Sequence, residues 1–124
     1  MKYMSLCSGI EAATVAWHDL GFEPVAFAEI DPFPCRVLQY HYPDVPNLGD
    51  ISKINGVDYA GKVELIVAGT PCQDFSIAGK RAGLSGERSG LAMHFVRIIH
   101  EIGPQWILWE NVPGAFTTRG GGRL

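Results

Sequence analysis

The chain has 124 residues, 47% hydrophobic and 19% charged, with a formal net charge of −3. That composition fits one globular domain and excludes a disordered chain. Its longest apolar runs, such as Ile107-Leu108-Trp109, are too short for a membrane span, and Met1-Lys2-Tyr3-Met4-Ser5 has no signal-peptide pattern, so a cytoplasmic protein without a membrane partner is expected.

In chain order, a short apolar strand is expected over Tyr3–Cys7, broken by Ser8-Gly9. Glu11–Leu20 has apolar residues at helical spacing and stops at Gly21. Pro24–Ile30 reads as a second strand, followed by a helix to about Tyr42 that Asp31 caps and Pro32 opens. Pro43–Gly61 is turn-rich and carries no clear element. Val63–Ala68, apolar except for Glu64, reads as a strand covered on both faces. Gly69–Gly90 is long and glycine-rich, the mark of a functional loop. Leu91–Ile102 is expected as a helix and Gln105–Glu110 as a final strand. Alternating strands and helices predict a doubly wound parallel α/β sheet with ligands at the strands' carboxyl ends.

Charge is unevenly spread. Residues 1–79 hold four Lys/Arg against ten Asp/Glu, whereas 80–97 hold Lys80, Arg81, Arg88 and Arg97 against Glu87 alone. The segment reads either as a solvated loop or as a basic face for phosphates on an acidic body.

The strand ends carry the chemistry. Cys7-Ser8-Gly9-Ile10-Glu11 lies at the first strand–helix turn, where nucleotide cofactors dock, but has a single glycine. Glu11 at a helix N-terminus is expected to repel a pyrophosphate. Glu29 follows Gly9 by 20 residues, the place from which a carboxylate grips ribose hydroxyls. A positively charged cofactor with a ribose and no phosphates, such as S-adenosylmethionine, suits these residues; an ordinary capped corner suits them equally. Among three cysteines without C-x-x-C spacing, neither a disulfide framework nor a metal site is expected. Cys7 and Cys35 read as structural. Cys72 follows Pro71 and opens the basic loop, where cations would favour its thiolate. None of His18, His41, His94 and His100 falls at a strand end to make a Cys–His pair. Glu110 leaves the hydrophobic strand Trp106–Trp109, and burial there would let it hold a proton.

Together these residues resemble the DNA (cytosine-5) methyltransferase family, in the version carried by phages and prophages, from about Tyr3 to Phe116. Gly-Thr-Pro-Cys-Gln-Asp-Phe-Ser at 69–76 looks like its catalytic motif, and Trp109-Glu110-Asn111-Val112 like its Glu-Asn-Val motif. Ser5–Gly9 loosely matches the first cofactor motif, with Glu11 and Ala12 standing where the family has further glycines. Ala28-Glu29-Ile30-Asp31 looks like the second motif, and Leu48-Gly49-Asp50-Ile51 like the turn whose acid reads the adenine amino group. The resemblance implies a Rossmann-like methyltransferase with Cys72 and Glu110 catalytic, acting on a cytosine flipped out of double-stranded DNA. It implies an S-adenosylmethionine pocket of Cys7, Ser8, Gly9, Ile10, Glu29, Ile30, Asp50, Ile51, Pro71 and Leu91. DNA would be met by Gln73, Ser76, Lys80, Arg81 and Arg88. Asp31-Pro32-Phe33-Pro34 faintly resembles the Asp-Pro-Pro-Tyr motif of amino-methylating enzymes, but helix capping explains it more simply.

The family's base-holding arginine strand, target-recognition domain and C-terminal cofactor segment do not appear. The expectation is therefore an N-terminal catalytic fragment, truncated after about the fifth strand, inactive alone and completed by a C-terminal half. A tRNA-methylating branch shares both catalytic motifs. Rival readings are a non-catalytic remnant and a nucleotide-binding oxidoreductase of the same fold.

Overall fold

The computed structural model describes residues 1–69 and 90–110. Four strands, β1 (Lys2–Leu6), β2 (Glu23–Ala28), β3 (Leu65–Gly69) and β4 (Trp106–Glu110), form one sheet in the order β2-β1-β3-β4, with every pairing parallel. Helices α1 (Ala12–Trp17), α2 (Pro32–His41) and α3 (Gly90–Ile102) cover it. The architecture is the doubly wound α/β sheet that the strand–helix alternation predicts. β1 to β2 steps one way across the sheet, while β2 to β3 crosses back past β1. The chain thus reverses direction between β1 and β3, and the crevice at the carboxyl ends of those two strands is where such sheets bind ligands.

Register decides which residues meet. Leu6 pairs with Ala28 on one side and Ala68 on the other, and Ala68 pairs with Trp109. One step further on, Cys7, Glu29, Gly69 and Glu110 are the next residues along the four strands, with Gly69 and Glu110 directly paired. Below this rim, Met4, Leu6, Ala26, Ala28, Ile66 and Ala68 form one sheet face against Phe95, Ile98 and Ile102 of α3. With Ala92, these make the inner stripe of that helix at spacings of three and four. Tyr3 and Phe27 face the other way: Tyr3 meets Trp17 edge-on at 5.2 Å and Phe27 meets Tyr42 at 5.6 Å, which seats α1 and the end of α2.

A fifth lane beyond β2 is a single bridge between Phe27 and Asn47 rather than a strand. The turn-rich segment after it folds into short 3-10 turns at Ile51–Lys53 and Gly56–Tyr59. Arg97 on α3 holds both: its guanidinium donates to Ile54 O at 2.8 Å and Ile51 O at 3.0 Å, and pairs with Glu101 at 2.6 Å. Glu101 in turn accepts from Gly56 N at 3.0 Å, and the Arg97 bond holds its carboxyl below the usual range. Arg97 therefore serves packing. The sequence reading that counted it toward a phosphate-facing segment is corrected, since its donors are taken up by backbone carbonyls and a carboxylate.

β4 is an edge strand among the described residues, with Trp106, Ile107 and Leu108 each at least half exposed. Trp109 differs, packing on Phe95 at 5.8 Å. No helix among the described residues is long and apolar enough to cross a membrane.

Candidate functional site

At the β1/β3 reversal lies a cleft of about 260 Å³, lined by Cys7, Ala28, Glu29, Ile30, Asp31, Gly49, Asp50, Ile51, Gly69 and Leu91. Three of these are carboxylates and none is a cation. Six of the residues expected to hold a cofactor therefore meet here: Cys7, Glu29, Ile30, Asp50, Ile51 and Leu91.

Ser8 and Gly9 are beside the cleft and shape it from behind. Ser8 Oγ donates to Ser5 O at 2.9 Å and accepts from Ala28 N at 3.2 Å, tying the first turn to the end of β2. Gly9, at φ +57, donates its N–H to Glu29 Oε1 at 2.7 Å. Ile10 is 60% exposed and does not line the cleft. Pro71, Cys72, Gln73, Ser76, Lys80, Arg81 and Arg88 lie outside the described residues.

Glu29 is the hub. Its Oε2 accepts from Ile30 N at 2.9 Å and Asp31 N at 3.0 Å, while Oε1 takes the Gly9 bond. A carboxylate oxygen accepts about two bonds, so Oε1 retains a position for a ligand hydroxyl. Asp31 heads α2 without a side-chain capping bond, and Pro32 opens the helix as expected. Asp50 heads the turn that follows Gly49. Its Oδ1 accepts from Ser52 N at 2.9 Å, and that backbone bond, before any other influence, lowers the carboxyl so that it stays ionised.

Cys7 sits between these acids at a left-handed φ of 54. Burial first, then Glu29 and Asp50, push its thiol up to about 11. It is a neutral, weakly polar wall rather than a nucleophile.

Glu11 corrects a reading from the sequence. It does cap α1, with Oε1 accepting from Thr14 N and Thr14 Oγ1, each at 3.2 Å. It is only 1% exposed, however, and burial raises its carboxyl against the opposing pull of Ser5 and Thr14. An acid turned into the core and bonded to the turn it caps does not present a surface charge that repels phosphate.

Glu110, at the tip of β4, is exposed, so the hydrophobic strand before it does not bury it as expected. A Cβ built on its partner Gly69 would stand 3.4 Å from Glu110 Oε2. The carboxylate thus leans over Gly69, which lines the cleft without a side chain. Residues that sequence reasoning missed are Ala28, Asp31, Gly49 and Gly69 in the lining, and Asn47 behind it. Gly49 and Gly69 were inside quoted motifs without a role. Asn47 had no signal at all.

The model of the C-5 cytosine-specific DNA methylase family matches residues 1–124. The chain is 47% identical over 128 residues to a protein named DNA N-6-adenine-methyltransferase from Escherichia phage P1, covering 94% of this chain and 17% of that one. It is 37% identical to the type II methyltransferase M.AquIA of Picosynechococcus, covering 91% of this chain and 49% of the relative. Among solved structures it resembles a DNA modification methyltransferase from an E. coli prophage, with TM-score 0.73 and 28% identity over 93% of this chain and 33% of that one. The fold alone also matches the S. pombe Dnmt2 methyltransferase, with TM-score 0.75 and 22% identity over 96% of this chain and 38% of that one. The chain thus spans less than half the length of each of these proteins. With its whole length under one family model and its sheet shared with solved methyltransferases, the chain belongs to the C-5 cytosine-specific DNA methylase family.

Proposed function

We propose that these residues form the cofactor site and reaction centre of a cytoplasmic enzyme that methylates carbon 5 of cytosine in double-stranded DNA, using S-adenosylmethionine. The observation that carries this reading is the composition of the cleft. Carboxylates from two separate turns, Glu29 and Asp50, line one cavity whose described lining residues include no cation, and its floor Gly69 pairs with Glu110. Such a lining suits hydroxyls, an amino group and a positive charge. It disfavours a pyrophosphate, and with it the oxidoreductase alternative. Glu29 would take ribose hydroxyls through the open position on Oε1, Asp50 the adenine amino group, and Ile30, Ile51 and Leu91 the ring faces. When bound, the cofactor supplies an electrophilic methyl group on a sulfonium.

Cys72 follows Gly69 by three residues, a tether of at most about 11 Å. Its thiolate would add to carbon 6 of a flipped cytosine while Glu110 hydrogen-bonds ring nitrogen 3, placing electron density on carbon 5. After carbon 5 is methylated it loses its proton, and expulsion of the Cys72 thiolate restores the aromatic ring. Gln73, Ser76, Lys80, Arg81 and Arg88 would meet the DNA. A complementing C-terminal half would supply target recognition, in keeping with relatives of which this chain covers less than half. The activity named for the phage P1 relative is not carried over, because the shared segment is 17% of that protein.

The test is covalent trapping on DNA containing 5-fluorocytosine, with S-adenosylmethionine, in the complemented or longer protein. Fluorine blocks the elimination, so the adduct accumulates. Cys72→Ser should abolish it, whereas Cys7→Ser and Cys35→Ser should still trap. An adduct surviving in Cys72→Ser would overturn the assignment. A parallel arm with fluorinated tRNA separates the two substrates: trapping on tRNA alone would overturn DNA.

A further inference from the structure

We propose that Asn47 is the positioning residue that sets the adenosine half of the cofactor site, by holding Glu29 and the Gly49–Asp50 turn in one frame. The proposal rests on the cofactor reading above and goes beyond it to a residue with no assigned role. Asn47 stands in the fifth lane, where the sheet continues for a single bridge. Pro46 O and Leu48 N bond Phe27 at 2.9 and 2.7 Å, and there the backbone ladder ends. The Asn47 side chain extends it by one rung. Oδ1 accepts from Glu29 N at 3.0 Å and Nδ2 donates to Glu29 O at 3.2 Å, the pair of bonds a neighbouring strand would make.

The remaining capacity of the amide is also used. Oδ1 accepts a second bond, from Gly49 N at 3.1 Å, and Nδ2 donates a second to Cys35 Sγ at 3.2 Å. Cys35 Sγ itself donates to Glu29 O at 3.2 Å. An amide has two acceptor sites and two donors, and all four are engaged. Nor is its orientation ambiguous, since both groups at Oδ1 are N–H donors and a flipped amide would face them with its own.

One planar group therefore touches the backbone of both walls of the cleft. Glu29 leads into the bonds to Gly9, Ile30 and Asp31, and Gly49 leads directly into Asp50. A side chain with one rotatable bond between amide and Cβ fixes the spacing of those walls far more closely than the exposed loop between them. Asn47 is itself exposed, so its bonds compete with water and contribute modestly to folding. Their consequence is geometric: two carboxylates are placed for one ligand before it arrives.

The test is calorimetric titration of the wild-type protein, Asn47→Ala and Asn47→Asp with S-adenosylmethionine and with adenosine. Asn47→Ala should weaken both ligands by the same factor, tenfold or more, because only the adenosine walls move. Asn47→Asp, which keeps the acceptor and loses the donors, should fall between alanine and wild type for adenosine. Amide exchange should accelerate at Glu29 and Gly49 in Asn47→Ala, with the β1 and β3 amides unchanged. Alanine affinity within twofold of wild type would overturn the proposal, as would a loss confined to S-adenosylmethionine. Wild-type protein that binds neither ligand would instead overturn the cofactor reading on which it rests. Should Asn47→Ala fail to fold, rapid exchange of the Glu29 and Gly49 amides in wild-type protein would still refute the frame.

Discussion

Replacing Glu11 by Gln isolates the consequence of burying an acid under the first turn. Glu11 is 1% exposed, its Oε2 meets no hydrogen-bond partner of good geometry among the described residues, and burial raises its carboxyl above the ordinary 4.5. The folded state therefore binds this proton more tightly than the unfolded chain does. Stability from this group is fully present below pH 4.5, falls as pH rises, and levels off once pH passes the folded value. One proton sets the limiting slope at about 1.4 kcal/mol per pH unit. Over a single unit that is roughly 4–8 °C in the melting midpoint of a domain this small. Gln keeps an acceptor for Thr14 N and the left-handed backbone of Glu11 at φ 68, but has no proton to lose. Urea unfolding from pH 4.5 to 8 should thus show wild-type stability falling against a flatter Glu11→Gln profile, with the gap largest at pH 8. Parallel profiles across that range would refute the reasoning.

The two rim carboxylates should divide their roles. Glu29→Ala should weaken S-adenosylmethionine binding by about 1.5–3 kcal/mol, the worth of a charged hydrogen bond, whereas Glu110→Gln should spare binding and impair methyl transfer; equal loss of affinity in both would contradict that division. Gly56→Ala would place a Cβ 2.8 Å from Glu101 Cβ. It should cost about 1–3 kcal/mol by overpacking and loosen the Ile51 wall that Arg97 holds, read by denaturant midpoint and cofactor affinity together. Ile98→Ala removes a fully buried side chain from the α3 stripe and should cost about 2–5 kcal/mol; a loss under 1 kcal/mol in urea unfolding would mean the stripe does not carry the core.

Strands and helices were legible in the sequence because their signals are local. Pro32 after Asp31, the stop at Gly21 (φ +78) and the three-and-four spacing of Phe95, Ile98 and Ile102 each act within a turn or two. The motifs at 28–31 and 48–51 likewise named most of the cleft, since each is a contiguous strand end or turn. Tertiary structure decided what depends on lateral order and register. Only the β2-β1-β3-β4 arrangement brings Gly69 against Glu110 and Gly9 N, 20 residues away, onto Glu29. Composition made Arg97 part of a basic run, yet its bond to Ile54 O spans 43 residues and removes it from any outward role. Glu11 read as a surface charge because nothing local announces burial. Asn47 lay in a segment without periodicity, and its role arises from two backbones that meet only when the sheet has formed. Chain neighbours set conformation through sterics and capping, whereas which groups share a cleft follows from burying the sheet's two faces at once.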